Sequence, residues 1–215
     1  MSSAEDQVSD QISERLYPDS IYGKNSGGNP YDIPSLSFED FSNYHKKYYH
    51  PSNSWTFLYG DIDEEETFQR LEDYFKDFDY QEVKSLADDV GRFNQEHEYK
   101  ESYSLSPSED PTKQTYLSYS WLLKPAQDEE MILLQLLPAV LVNSEASPLR
   151  QALLKESDCE DVYCEFSPVR EPAFSIVVKN VGPEDGPLFK EIVDRYMTSF
   201  AEEGLDKDLL FGELQ

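Results

Sequence analysis

Apolar residues recur every fourth position at Val8, Ile12 and Leu16, behind Ser2 or Ser3 and the acids Glu5 and Asp6. This spacing predicts an amphipathic helix that Pro18 ends. Paired glycines and two prolines in YGKNSGGNPYDIP, residues 22–34, then predict an ordered loop. Ser37 caps a second helix with Phe38, Phe41, Tyr44 and Tyr48 on one face, stopping at His50-Pro51. The aromatic, β-rich run Ser54–Tyr59, bounded by Gly60-Asp61, predicts a buried strand. A third helix opens on Asp63, Glu64, Glu65 and Glu66 and presents Phe68, Leu71, Tyr74, Phe75 and Phe78 to a core.

Periodicity fades from Asp79 to Asn94, around Gly91, as in a connector between domains. Beyond it the pattern predicts strands over 97–105 and 114–123, a helix over 127–142, and a short helix from Ser147-Pro148. Strands over 161–166 and 172–180 and a helix over 187–203 follow, closed by Gly204. Asp206 opens a last helix carrying Leu209, Leu210 and Leu214. The expected class is α+β, an antiparallel sheet with helices packed on one face. The expected division is 1–80 (α-loop-α-β-α), a connector over 81–96, and 97–215 (β-β-α-α-β-β-α). Both ends are expected to be cuts through larger domains.

Composition narrows the function classes. The 215 residues are 38% hydrophobic, with 15 Tyr and 12 Phe, enough to fill a core. The 44 acids against 18 Lys and Arg leave a net charge of −26, which repels nucleic acid and anionic membranes. That charge suits either a soluble acidic surface or a basic peptide as partner. The opening MSSAEDQVSDQ lacks the basic and apolar regions of a secretory signal, so a bacterial cytoplasm is expected, with an organelle matrix as the alternative. Met131–Val142, the longest apolar run, falls short of the roughly 20 residues that span a bilayer.

No complete catalytic or metal site emerges. Only His45, His50 and His97 are available to zinc, and His45 and His50, five positions apart, point to different sides of a helix. Cys159 and Cys164 lack further Cys or His neighbours and are expected as free structural thiols. Asp61–Glu72 places acids where a calcium loop needs them, but Glu66 stands where the turn glycine belongs. Acids favoured by a helix start account for the same residues. GxSxG is absent, and the NSGGN loop at 25–29 has no helix directly after it to cradle phosphate.

Two motifs carry a resemblance. SGGNPYDIP contributes Ser26, Gly27, Gly28, Pro30, Ile33 and Pro34. FSNYHKKYYHPSN contributes His45, Tyr48, Tyr49, His50, Pro51 and Asn53, and LYGDID with Gly60 and Asp61 follows. Together with SWLL (120–123), SPLRQALL (147–154) and AEEGLDKDLL (201–210), they make the chain resemble insulinase-type zinc peptidases of the presequence-protease and falcilysin-like branch. The resemblance covers nearly the whole chain.

The family is built of four similar α+β domains in two halves that close around a peptide-holding chamber. The resemblance therefore implies the end of the first domain and most of the second, joined to the remaining domains of a longer peptidase. Its zinc ligands, an inverted HxxEH pair and a later Glu, are implied to lie before Met1, and its substrate-gripping Arg and Tyr in the other half. No catalytic or metal residue is assigned here, and zinc is expected in the parent only. The motif residues are implied to be structural, Gly27 and Gly28 tightening the loop and Pro51 and Asn53 turning the chain into the strand at Trp55. The implied function is a non-catalytic scaffold within a zinc-dependent metalloendopeptidase that degrades unstructured oligopeptides. A stand-alone, inactive peptide-binding or assembly module of the same descent is the alternative.

Overall fold

The computed structural model describes residues 3–84, 90–91, 93, 95–103, 105 and 111–213. The chain forms two compact units, residues 1–24 with 89–215, and residues 25–88.

The first unit is built on a three-stranded antiparallel sheet of order β1-β3-β2, with β1 Thr115–Leu122, β2 Asp161–Ser167 and β3 Ala173–Val181. β3 is central because its run AFSIVV is buried on both faces, whereas β2 alternates buried Val162 and Cys164 with half-buried neighbours. Cross-strand pairs Trp121–Phe174, Tyr119–Ile176 and Val162–Val178 set the register.

Helices α5 (Pro148–Glu156) and α6 (Gly186–Glu203) add buried side chains to the unit's core, α4 (Asp128–Pro138) buries only Pro138 before leading into it, and α7 (Lys207–Glu213) stands at the end. Val142, Leu149, Leu153, Ile176, Val178, Ile192 and Val193 form its fully enclosed centre. α4 does not run on to 142 as an α-helix. After Pro138 the backbone widens into a π-turn over Ala139–Asn143, closed by the Ser144 N–H on the Ala139 carbonyl at 2.9 Å. The stretch Asp128–Glu156 is long and apolar enough to cross a membrane by composition, more than the short apolar run suggests. Ser144–Ser147 interrupts it, and Val140–Val142, Leu149 and Leu153 are buried in the core, as in the helices of a folded core.

α1 (Ala4–Leu16) starts at Ser3, whose hydroxyl accepts from the Asp6 amide while the Asp6 carboxylate accepts from the Ser3 amide. Leu16 and Tyr17 bury against Ala173, and the Tyr17 hydroxyl donates to the Glu171 carbonyl at 2.8 Å. The strand expected over 97–105 does not form among the residues described, and Ser104 lies outside them. Two side chains there meet α1 instead: Arg15 stands over the Tyr99 ring and pairs with Glu101. Residues 85–89, 92 and 94 of the expected connector lie outside the described residues.

The second unit contains α2 (Phe38–Tyr48) and α3 (Glu64–Phe75) and no strand among the residues described. Both helices start where the pattern places them. Ser37 and Asp40 form a capping box, and Asp63 accepts from the Glu66 amide at 2.9 Å. None of residues 25–84 is buried. The core faces predicted for α2 and α3 are therefore bare: Phe38, Phe41, Tyr44, Phe68, Tyr74 and Phe78 are exposed.

Candidate functional site

The two motifs fall in the second unit and build a loop, a helix and a turn by local hydrogen bonds. In the glycine loop, Asn25 accepts twice, from the Gly27 amide on its side chain at 2.9 Å and from the Gly28 amide on its carbonyl at 3.0 Å. The left-handed conformation falls on Gly28, at φ +80°, and not on Gly27. Asn29 repeats the device with the Tyr31 amide at 3.0 Å, and its carbonyl receives Asp32 and Ile33. Pro34 lies in the single 3-10 turn Ile33–Ser35 that delivers the chain to the Ser37 cap. Ser26 and Pro30 are exposed in this loop. At the cap, the Ser37 hydroxyl and then its amide hold the Asp40 carboxyl below the usual carboxylate range.

At the other end of α2, the Tyr49 amide donates a helix-ending bond to the His45 carbonyl, and the His45 and Tyr49 rings stack at 4.7 Å. His50 turns the chain. Its Nδ1 accepts from the Ser52 amide at 3.2 Å, and its ring meets Phe78 edge-on at 5.5 Å. Asn53 ties the Pro51–Asn53 turn back to the helix by donating to the Tyr48 carbonyl at 2.9 Å. Pro51 and Asn53 lie in this turn, which has a further bolt. Gln81 donates through its backbone to Ser52 Oγ and through its amide to the Lys47 carbonyl, both at 3.2 Å. No sequence signal near the turn announces Gln81, because its partners lie 29 and 34 positions away.

The turn opens onto the segment predicted as a buried strand, and that prediction is corrected. Ser54 is extended (φ −128°, ψ 150°), but residues 54–59 pair with no described strand. Trp55, Phe57 and Tyr59 are 101%, 87% and 94% exposed. A strand needs a neighbour to satisfy its main chain, and this unit offers none among its described residues. Gly60, at φ +140°, and Asp61 end the segment.

His45 and His50 are thus engaged separately, one in stacking and one in a turn. Among the described residues no three His, Cys, Asp or Glu side chains converge as metal ligands. Cys159 and Cys164 are free and buried, and burial raises both thiols, so neither is a ready thiolate. The first unit holds a polar cluster that sequence did not single out, between α1 and the sheet. There Ser9 donates to Glu165 at 3.3 Å, and Lys179 pairs with Glu5 at 3.2 Å. Burial pushes the Glu165 carboxyl up, opposed by the Ser9 bond. These groups brace a helix on a sheet.

A family model described as Peptidase M16 inactive domain matches residues 35–211. Protein HypA of Clostridium perfringens is 35% identical over 203 residues, 93% of this chain and 21% of that protein. Presequence protease 1, chloroplastic/mitochondrial, of Arabidopsis thaliana is 31% identical over 210 residues, covering 94% and 19%. The mitochondrial presequence protease of Xenopus laevis is 32% identical over 210 residues, covering 93% and 20%. The chain spans about a fifth of the length of these relatives. Among solved structures, a peptidase M16 inactive domain from Pseudomonas fluorescens superposes with a TM-score of 0.66 at 18% identity, over 96% of this chain and 49% of that one. A protease from Helicobacter pylori gives 0.58 at 14% identity, over 97% and 55%. At these identities the structural likeness speaks for the fold.

Proposed function

Because the chain belongs to the M16 peptidase family, through that family's inactive domain, we propose that it is a non-catalytic scaffold segment of a longer zinc metalloendopeptidase. That enzyme would degrade unstructured oligopeptides in a closed chamber. The observation that carries this reading is the match of residues 35–211 to a domain described as inactive, in a chain about a fifth as long as relatives named presequence proteases. The described residues do not fit zinc, since no ligand triad converges among them. Residues 1–80 would close one peptidase-like domain and 97–215 begin the next, across the connector 81–96. The setting we propose is a bacterial cytoplasm.

The chain's own contribution is positional. Glycine loop, capped helix and bolted turn form a frame held by local hydrogen bonds, as suits a wall. The net charge of −26 favours basic peptides as the substrate of the longer enzyme.

Cleavage of an unstructured basic peptide by this chain and by the longer protein tests the reading. No cleavage by the chain, with or without added zinc, and chelator-sensitive cleavage by the longer protein are expected. Turnover by the chain alone would overturn the scaffold role. Tight peptide binding without turnover by the longer protein would favour an inactive binding module.

A further inference from the structure

His50 closes the turn after α2 in a way that only one protonation state of its ring allows. An imidazole nitrogen accepts a hydrogen bond only while it carries no proton. Nδ1 of His50 accepts from the Ser52 amide at 3.2 Å, so the ring in this turn is neutral and carries its proton on Nε2. The half-buried ring also meets Phe78 edge-on at 5.5 Å, and the His50 carbonyl receives the Asn53 amide at 2.8 Å. One residue thereby holds the turn through its side chain and its main chain together.

What the turn fastens is remote in sequence. Ser52, whose amide His50 fixes, offers Oγ to the Gln81 amide at 3.2 Å, and the Gln81 side chain reaches the Lys47 carbonyl at 3.2 Å. Phe78, against the His50 ring, lies on the same stretch of chain as Gln81. The segment that follows α3 is therefore tied to the end of α2 through His50 and Ser52, and His50 titrates near physiological pH.

We propose that His50 is a proton-operated latch: neutral, it closes the Pro51–Asn53 turn and ties Gln81 to the end of α2, and protonated, it releases both. With a proton on Nδ1 the ring becomes a donor facing the Ser52 N–H, and the bond is replaced by repulsion between two donors. Ser52 then loses the contact that aims its Oγ at Gln81. The chemistry fixes the direction: the latch is closed above the imidazole range and opens as pH falls through it. The charged and titratable groups on the elements that meet here are His45, Lys46 and Lys47 in the last turn of α2, Tyr49 stacked on His45, and Asp77 and Asp79 on either side of Phe78. The aspartates and the C-terminal end of α2 favour a charged ring and the lysines oppose it. A charged ring can thus exist in this place, but only with the Ser52 bond broken.

An NMR titration of this chain tests the latch. At neutral pH the His50 ring nitrogens should report the Nε2–H tautomer. As the ring charges, the Ser52 and Gln81 amide signals should move with the same midpoint. Exchange of the Ser52 amide should accelerate roughly 3–10-fold relative to His50→Asn, the range that a single hydrogen bond contributes. Asn accepts from the amide two residues on without titrating, so His50→Asn should keep the neutral-pH Gln81 signal and lose the step. His45→Gln, which removes the neighbouring imidazole, should leave the step in place. An Nδ1–H tautomer at neutral pH, a Gln81 amide that ignores the titration of His50, or a step that survives His50→Asn overturns the latch. Should His50→Asn fail to fold, the wild-type tautomer and the shared midpoint decide alone.

Discussion

The edge strand β2 and the segment Ser54–Tyr59 have similar lengths and similar β-forming composition, yet one is an ordered strand and the other is unpaired. β2 has β3 on one side, and side chains serve its other edge. Asn143 receives the Cys164 amide at 2.8 Å and donates to the Cys164 carbonyl at 3.2 Å, while Arg150 donates to the Val162 carbonyl and pairs with Asp161 at 2.8 Å. Ser54–Tyr59 has neither a strand nor a side-chain guard among the described residues. Propensity is alike in both, so what differs is the availability of partners.

Removing apolar bulk from one helix in each unit should separate the two most strongly. Leu153 is fully buried among α5, α6 and the sheet, and Leu153→Ala should cost about 2–5 kcal/mol. Phe41→Ala, on the exposed face of α2, should stay within about 0.5 kcal/mol. Urea unfolding followed by Trp121 emission in a Trp55→Phe background reads Leu153→Ala in the first unit, and far-UV helicity of the isolated second unit's helices reads Phe41→Ala. A Phe41→Ala loss as large as that of Leu153→Ala would mean that the second unit has a core after all.

What was legible follows from how local each signal is. Helix starts were legible because a cap is a contact between neighbours: Ser3 with Asp6, Ser37 with Asp40, Asp63 with Glu66. β2 and β3 were legible because their alternation or continuity matches the burial they reach, and Gly204 marks the end of α6 at φ +84°. The strand at 54–59 was misread because β-propensity reports a side chain's preference, not whether a neighbour exists. The strand at 97–105 was misread because Arg15, far away in sequence, draws Tyr99 and Glu101 to α1. Of the motif region, the turn at Pro51 and Asn53 was readable, but the Gln81 bolt was not.

A smaller difference should separate the helix caps. Ser147 is fully buried, accepting from the Arg150 amide and donating to the Leu141 carbonyl, so Ser147→Ala strands a buried acceptor as well as uncapping α5. A loss of about 2 kcal/mol is expected in the urea midpoint. Ser37 caps an exposed helix, so Ser37→Ala should cost α2 about 1 kcal/mol, read as lost far-UV helicity. Equal effects of the two substitutions would remove burial as the reason the units differ.

The smallest effect lies in the packing of α1 on the sheet and depends on pH. Glu165 faces Ser9 of α1, and Glu5, Asp161, Lys179, Tyr116 and Tyr163 surround that layer from α1 and all three strands. Burial raises its carboxyl above the ordinary range, so the folded state holds a proton that the unfolded chain has released. Below the ordinary carboxylate range both states are protonated and no penalty exists. As pH rises through the window between the ordinary and the raised value, stability falls, and above it the penalty is complete. Glu165→Gln removes the titration and still accepts from Ser9. The variant should therefore match the wild type in acid and become the more stable of the two towards neutral pH. Paired urea midpoints across that range read the difference directly. A gap that is constant with pH, or that favours the wild type at neutrality, would show that Glu165 is well solvated and that α1 rests on the sheet more loosely than the core helices do.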